Sequence, residues 1–302
     1  MEEAVRSGIR SDPSSVAVRT LGYGVIGLFA ICCLLPFLLV LGTSFTTEGA
    51  VQKHGFNLWP RELSVFAYKI VFENPSQIIG AYVVTIGITL VGTAVGLFLV
   101  AMTGYSLQRP DFKYRNGISF FIYFTTLFSG GIVPFYLLVT QYLSLKDNYL
   151  AVLLPGLMSP FLIIMMKSFV RSIPHAITES AKIDGAGDFT IFLKLILPMT
   201  TPALATIGLF IALGYWNEWY NAMLFLSPDV KYRPLQLFLY NVITSADFIR
   251  NSSASSNVPL KDVPLETMKM ATAVVATGPV ILFYPFVQRY FIKGITVGAV
   301  KG

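Results

Sequence analysis

Residues 174–198 read PHAITESAKIDGAGDFTIFLKLILP, interrupt a very apolar chain, and form its longest charge-bearing loop with helical signals of its own. Thr178 is a residue type that caps helix N-termini, and Glu179 would then lie in the first turn, where the helix dipole favours a negative charge. Gly185 is placed to end this helix in the left-handed conformation. The stretch therefore predicts a short helix of about two turns.

A second helix is predicted to follow at once. Asp188 can cap it, the apolar residues 189–197 carry it toward a membrane, and Pro198 is expected to kink the junction. A two-turn helix is marginal in water, because few hydrogen bonds compensate for the cost of nucleation. We therefore expect the first helix to pack against another protein.

This stretch resembles the characteristic loop of binding-protein-dependent ABC importer permeases. In that family Glu-Ala-Ala, three residues, Gly, nine residues and Ile-x-Leu-Pro form the helix that docks on the ATPase subunit. The matching residues are Glu179, Ala181, Gly185, Leu197 and Pro198, and two replacements are Ser180 for the middle alanine and Leu195 for the isoleucine.

The resemblance implies a coupling loop over residues 172–198. Its implied ATPase-coupling residues are Glu179, Ser180, Ala181, Asp184, Gly185, Ala186, Leu197 and Pro198. The alternative is an ordinary amphipathic loop between two membrane helices, which any transporter can possess.

The composition places the chain among membrane proteins. Of its 302 residues, 54% are hydrophobic and 13% are charged, and the mean hydropathy is +0.66; an ordinary soluble domain is less apolar. Cys32 and Cys33 are adjacent within an apolar run, and His54 and His175 lie far apart, so neither a metal site nor a catalytic dyad is expected. The sequence has no long basic tract with interleaved aromatic residues, so nucleic-acid binding is not predicted.

Apolar runs locate six membrane helices, since each crossing needs about 20 residues. They are expected near residues 20–43, 80–107, 117–140, 149–167, 196–224 and 270–289. Residues 1–19 and 294–302 would be tails. The first run is long enough to span and lacks a small-residue cleavage site, so it is not read as a signal peptide. The sequence thus predicts an all-α membrane protein with six transmembrane helices.

Positive charge in short loops sets the orientation. With six spans both termini share one side, which holds thirteen of the 22 basic and seven of the 16 acidic residues, against nine of each on the other side. Both termini and the coupling loop are therefore assigned to the cytoplasm. The coupling loop must lie there to meet an ATPase, and the charge count reaches the same assignment without using the motif.

A polar and aromatic cluster follows the fifth apolar run. If that helix continues to residue 224, ionisable Glu218 lies in the membrane, where an uncompensated charge costs at least about 2.5 kcal/mol. Aromatic rings beside amides and a carboxylate suit a sugar, whereas an interfacial aromatic belt is the alternative. The possible substrate-path residues are Tyr215, Trp216, Asn217, Glu218, Trp219 and Asn221.

The chain also resembles the sugar-importer subgroup of these permeases at residues 172–186, 202–205, 216–219 and 284–302. It is similar to maltose-type permease subunits and closer to members assigned to oligo- or polysaccharide uptake. The resemblance implies a type I ABC importer permease bundle with a cytoplasmic coupling helix in the bacterial inner membrane. It implies a second homologous permease subunit, two ATPase subunits that bind ATP and Mg, and an external solute-binding protein. No cofactor is expected on this chain, and its outer loop at 218–269 could be a linker or a contact with that binding protein.

Two other functions fit parts of the sequence. A secondary, proton-coupled transporter could use the kinked spans and Glu218, and uptake without ATP would favour it. An enzyme is not expected, because the spans lack paired carboxylates, a metal cluster or an activated nucleophile. The chain also lacks the Gly-x-x-x-x-Gly-Lys-Ser/Thr phosphate loop that ATP hydrolysis would need.

Overall fold

The computed structural model describes residues 13–256 and 264–299. Its α-helices are α1 (Pro13–Ser44), α2 (Glu48–His54), α3 (Phe66–Val71), α4 (Pro75–Gln108), α5 (Arg115–Leu127), α6 (Ile132–Leu137), α7 (Leu150–Leu153), α8 (Pro160–Arg171), α9 (His175–Ile183), α10 (Asp188–Ile191), α11 (Leu197–Met199), α12 (Thr201–Trp216), α13 (Tyr220–Phe225), α14 (Leu235–Ser256) and α15 (Leu265–Ala299). A π-helical turn, Leu138–Tyr142, extends α6, and another, Phe192–Ile196, joins α10 to α11. The described residues contain no strand, only an isolated bridge between Thr46 and Leu63.

Three helical stretches in the described part are long and apolar enough to cross a membrane by themselves. They are Val18–Ser44, Pro75–Gln108 and Leu265–Leu282. Three further spans would each be a pair of helices joined by a bend. The prediction of an all-helical membrane protein is confirmed, and six spans are reached when each bent pair counts as one.

The third predicted span, residues 117–140, is not one continuous helix. Arg115–Leu127 and Ile132–Tyr142 meet at 115°. Gly131 lies between them with φ of +87°, a left-handed conformation that glycine adopts without steric penalty. The chain turns sharply at the Gly130–Gly131 pair.

The fourth and fifth spans also bend. Leu150–Gly156 and Pro160–Arg171 meet at 42°, and Asp188–Met199 and Thr201–Trp216 meet at 85°. The larger bend lies at Thr200, two residues beyond the proline where the kink was expected, because Pro198 is accommodated in the first turn of α11.

The fifth span ends before residue 224, so a continuous helix over 196–224 is wrong. Helix α12 stops at Trp216, and the amide of Asn217 donates a hydrogen bond to the Leu213 carbonyl at 2.9 Å. Such side-chain bonds compete with helix continuation. Trp219 is the N-cap of the next helix, and Glu218, one residue earlier, accepts the backbone N–H of Asn221 with its Oε1 at 2.8 Å.

The tails and the outer loop also differ from expectation. Residues 13–19 of the predicted N-terminal tail belong to α1, and residues 294–299 of the predicted C-terminal tail belong to α15. The remaining tail residues, 1–12 and 300–302, lie outside the described residues. The predicted outer loop at 218–269 contains α13 and α14 as well as the start of α15.

By its internal contacts the chain divides into two units, residues 1–71 with 253–275 and residues 72–252 with 276–302. In the first unit, Glu48 holds the start of α15. Its carboxylate accepts the backbone N–H groups of Glu266 at 3.2 Å and Thr267 at 3.0 Å. This supplies acceptors for donors that the first turn of a helix leaves without partners.

In the second unit, α4 packs against both α8 and α12. A Cβ at Gly92 would lie 2.3 Å from the Tyr215 ring, and one at Gly104 would lie 2.8 Å from Met166. The Tyr215 hydroxyl donates to the Leu153 carbonyl at 2.7 Å, which fixes the ring. Small residues let membrane helices approach closely, so these glycines set the spacing of the bundle.

Gly92→Ala is therefore expected to destabilise the purified permease. The new methyl group must displace the anchored Tyr215 ring, and overpacking of this kind costs about 1–3 kcal/mol. Gly87→Ala is the matched control, because a Cβ at Gly87 of the same helix meets no atom within 4 Å. The midpoint temperature of thermal unfolding in detergent should fall by several degrees for Gly92→Ala and should not change for Gly87→Ala. Equal midpoints for the two variants would contradict this packing.

Candidate functional site

Helix α9 begins earlier than the capping pattern predicted. Its N-cap is Pro174, whose carbonyl accepts the N–H of Ile177 at 3.2 Å. Thr178 therefore lies inside the helix, and Glu179 lies in the second turn. The prediction that Thr178 caps α9 is wrong, because the extended backbone of Pro174 already permits the helix to start at His175.

The C-terminal end of α9 agrees with the prediction. Gly185 has φ of +80°. Its N–H donates to the Lys182 carbonyl at 3.0 Å, and the N–H of Ala186 donates to the Ala181 carbonyl at 2.9 Å. This pair of bonds is the Schellman motif. Since a Cβ at Gly185 would meet no atom within 4 Å, the constraint there is the backbone angle alone.

Asp188 does not cap α10 as predicted. Gly187 is the N-cap, Asp188 is the first helical residue, and its side chain makes no cap hydrogen bond. The carboxylate instead pairs with the guanidinium of Arg109 at 2.8 Å. An ion pair with a neighbouring loop has replaced the local cap.

The predicted coupling residues divide between two faces. The inner face packs into the hydrophobic core with Ala181, which is 9% exposed, and partly buried Ala186 and Leu197. The outer face is open to solvent with Glu179, Ser180, Asp184, Gly185 and Pro198. Serine in place of the middle alanine is therefore accommodated, because that position lies on the outer face.

The outer face also presents apolar side chains that the motif did not single out. Ile183 is 86% exposed and Phe189 is 59% exposed, on either side of the Gly185 turn. The Glu179 side chain makes no hydrogen bond or ion pair with any residue that the structure describes. Exposed apolar side chains beside an unpaired carboxylate are suited to contact another protein.

The structure brings together four charged residues that sequence reasoning did not connect, since it counted three of them only toward topology and interpreted Asp188 as a helix cap. Arg109, Asp111, Lys182 and Asp188, here called the charged quartet, alternate in sign and touch one another. Hydrogen bonds from Arg109 and then Lys182 hold the pKa of the Asp111 carboxyl well below its usual range. No local pattern joins residues 71 positions apart, so only the fold reveals this cluster.

The possible substrate-path residues also divide. Tyr215 and Trp216 are buried, with Trp216 Nε1 donating to the Ala276 carbonyl at 3.1 Å and Tyr215 held by Leu153. Both side chains are thus engaged in packing within this chain. Asn217 and Trp219 are exposed, whereas Glu218 and Asn221 are partly exposed.

Glu218 is ordered by its neighbours. The side-chain amide of Asn221 donates to Glu218 Oε2 at 3.0 Å, in addition to the backbone bond to Oε1. A cavity of about 330 Å³ adjoins this carboxylate, lined also by Ser159, Phe161 and Phe210. Nearby, the Trp219 ring stacks on Tyr240 with centroids 4.8 Å apart, a contact that no sequence spacing indicated. Within the described residues, no three His, Cys, Asp or Glu side chains group to hold a metal ion.

Comparison with known proteins identifies the family. The family model described as "binding-protein-dependent transport system inner membrane component" matches residues 92–297. The chain is 41% identical to the polygalacturonan/rhamnogalacturonan transport system permease protein YtcP of Bacillus subtilis, over 93% of this chain and 96% of that one. It is 27% identical to the arabinooligosaccharides transport system permease protein AraQ of Halalkalibacterium halodurans, over 97% and 99%.

A solved structure agrees with these relatives. The fold is similar to a chain in the crystal structure of a bacterial ABC transporter involved in the import of the acidic polysaccharide alginate. The TM-score is 0.77 at 30% sequence identity, and the match covers 93% of this chain and 98% of that chain. This chain therefore belongs to the binding-protein-dependent transport system inner membrane component family and is a permease subunit of an ABC importer.

Proposed function

We propose that this permease forms half of the membrane path of an ATP-driven importer for oligo- or polysaccharides. The 41% identity to a polygalacturonan/rhamnogalacturonan permease over nearly the full length carries this proposal. The fold similarity to an alginate importer supports the same substrate class. A secondary transporter has no support from these comparisons, because family members work with separate ATPase subunits.

The proposed assembly contains this chain, a second homologous permease, two ATPase subunits and an external solute-binding protein. ATP and Mg would be bound by the ATPase subunits, which supply hydrolysis. We place α9 and both termini in the cytoplasm of a bacterial cell, with the helices in the inner membrane. The excess of basic residues on that side supports this orientation.

Helix α9 is the proposed coupling helix. Ala181 anchors its inner face in the core, while Ile183 and Glu179 remain open to a partner. Docking of that outer face on the ATPase would bury Ile183, which is 86% exposed in this chain. Closure of the ATPase dimer on ATP would then displace α9 and rotate the attached helices as rigid bodies.

The proposed sugar contacts are limited to the exposed part of the predicted path. Trp219 offers an aromatic surface, while Asn217, Glu218 and Asn221 supply amide and carboxylate groups. Aromatic rings can stack on the C–H faces of a sugar, and these polar groups can bond its hydroxyls. Tyr215 and Trp216 would act indirectly, by holding the end of α12 in place.

The first test is transport by the complete importer in proteoliposomes. Labelled oligosaccharides of galacturonate, arabinose and alginate should be offered with the binding protein. Uptake of at least one should require ATP, the ATPase subunits and the binding protein together. Uptake by this chain alone, driven by a proton gradient without ATP, would overturn the proposal in favour of a secondary transporter.

Gly185→Val is expected to uncouple the importer. A β-branched residue at positive φ is strained, since an L-residue in the left-handed region costs roughly 1–2 kcal/mol. Gly185→Asn is the matched control, because asparagine tolerates this conformation and the site has open space. Uptake and binding-protein-stimulated ATP hydrolysis should fall far more for valine than for asparagine in assembled complexes. Equal activities would contradict the role of the turn.

Trp219→Ala is expected to raise the half-saturating sugar concentration several-fold, because it removes the aromatic surface. Trp219→Phe should stay close to wild type, since a ring remains at that position. Initial uptake rates over a range of sugar concentrations measure this difference. If alanine and phenylalanine behave alike, with complexes assembled to the same extent, Trp219 does not contact the sugar.

A further inference from the structure

The charged quartet lies where α4 meets the coupling region. Arg109 immediately follows α4, and its Nε bonds to Asp111 Oδ1 at 2.9 Å while Nη1 pairs with Asp188 Oδ1 at 2.8 Å. Lys182 of α9 completes the ring, with its Nζ 2.8 Å from Asp111 Oδ2 and 3.8 Å from Asp188 Oδ1. Each charge therefore has two partners of opposite sign.

The charged quartet attaches both sides of the Gly185 turn to the end of α4. Lys182 precedes Gly185 by three residues and Asp188 follows it by three. Both side chains reach the segment that begins at Arg109. A displacement of α9 therefore cannot occur independently of the end of α4 while the ring is intact.

Isolated surface ion pairs contribute little, because solvent screens them and side-chain entropy opposes them. The quartet differs in two respects. Arg109 binds Asp111 with two nitrogens, an arrangement that fixes geometry. The Arg109 side chain is only 18% exposed and also lies over the Tyr105 ring, 5.9 Å from its centroid.

An aromatic contact makes a second attachment one helical turn further into the bundle. Tyr105 of α4 stacks on Phe192 with centroids 5.5 Å apart, and Phe192 is 1% exposed. Phe98 meets Phe192 edge-on at 5.9 Å. Two attachments at different depths resist both sliding and hinging, whereas a single one would allow rotation about the contact.

We propose that the charged quartet is the joint that makes α4 and the coupling region move as one rigid unit when the ATPase subunits close. Its members are positioning residues, which act through α9 and need not touch the ATPase. The pairing lowers the pKa of Asp111 and raises the pKa values of Arg109 and Lys182, so these three side chains keep their charges at neutral pH. This inference rests on the proposed function, since it presumes an ATPase that docks on α9.

The test measures whether α4 and α9 keep their separation during the ATPase cycle, because Lys182 is the residue of the quartet that lies on α9. Spin labels go on Ser76→Cys and Ala176→Cys, both exposed positions, after Cys32 and Cys33 are replaced by alanine. Distances are recorded in the assembled importer with and without ATP and vanadate, so no sugar is needed. With the quartet intact, we expect the same distance in both states.

Lys182→Met should change that result, with a distance distribution that shifts by about 2 Å or more on trapping, the scale of helix displacements at moving interfaces. Lys182→Arg retains the charge and should restore the constant distance. Lys194→Met removes an exposed lysine outside the quartet and should leave the distance constant. Co-purification of the ATPase subunits is measured for every variant.

Each outcome has one meaning. A constant distance in Lys182→Met overturns the joint. Loss of the ATPase subunits from Lys182→Met but not from Lys194→Met also overturns it, because the quartet would then contribute to ATPase docking. Failure of the ATPase subunits to co-purify with the wild-type chain overturns the proposed function instead. A shift in Lys182→Met, reversed by Lys182→Arg, with the ATPase bound throughout, establishes the joint.

Discussion

Close approach between α4 and its neighbours is the constraint on which the second unit depends. Lipid tails are as apolar as the side chains, so moving a side chain from lipid into the protein gains little free energy. Membrane helices therefore associate through tight packing. Gly92 admits the Tyr215 ring, and Gly104 admits Met166. The same ring bonds Leu153 and thereby holds the end of α12 against the neighbouring helices. The proposed sugar contacts, Asn217, Glu218, Trp219 and Asn221, are positioned by this packing although they take little part in it.

The short helix of the coupling region has to satisfy two opposing structural requirements. Its inner face must stay in the core while the outer face remains available to another protein. Ala181 meets the first demand because it is small, and Ile183 meets the second because it projects from the surface. Helix α9 is too short to be stable in water by itself. It is therefore held at one end by the Schellman turn and along its side by the core and the charged quartet.

The sequence predicted features that depend on local chemistry. The apolar runs indicated membrane helices, and Gly185 indicated the left-handed turn that ends α9. Local reasoning failed where a distant residue replaced a local partner: Asp188 looked like a cap but pairs with Arg109, far away in the chain. It also failed at Asn217, where one side-chain bond to Leu213 ends a helix that hydropathy alone would continue. The quartet and the stacking of Trp219 on Tyr240 arise only from tertiary structure.

The open space around Gly185 has a stereochemical consequence. Where a glycine is required because neighbouring atoms leave no room for a Cβ, both L- and D-residues are excluded. Gly185 has room, and its positive φ is the conformation that the mirror-image configuration prefers. A D-alanine introduced by chemical ligation would fit this turn without strain and would remove the flexibility that glycine brings. The position thus discriminates by handedness rather than by volume.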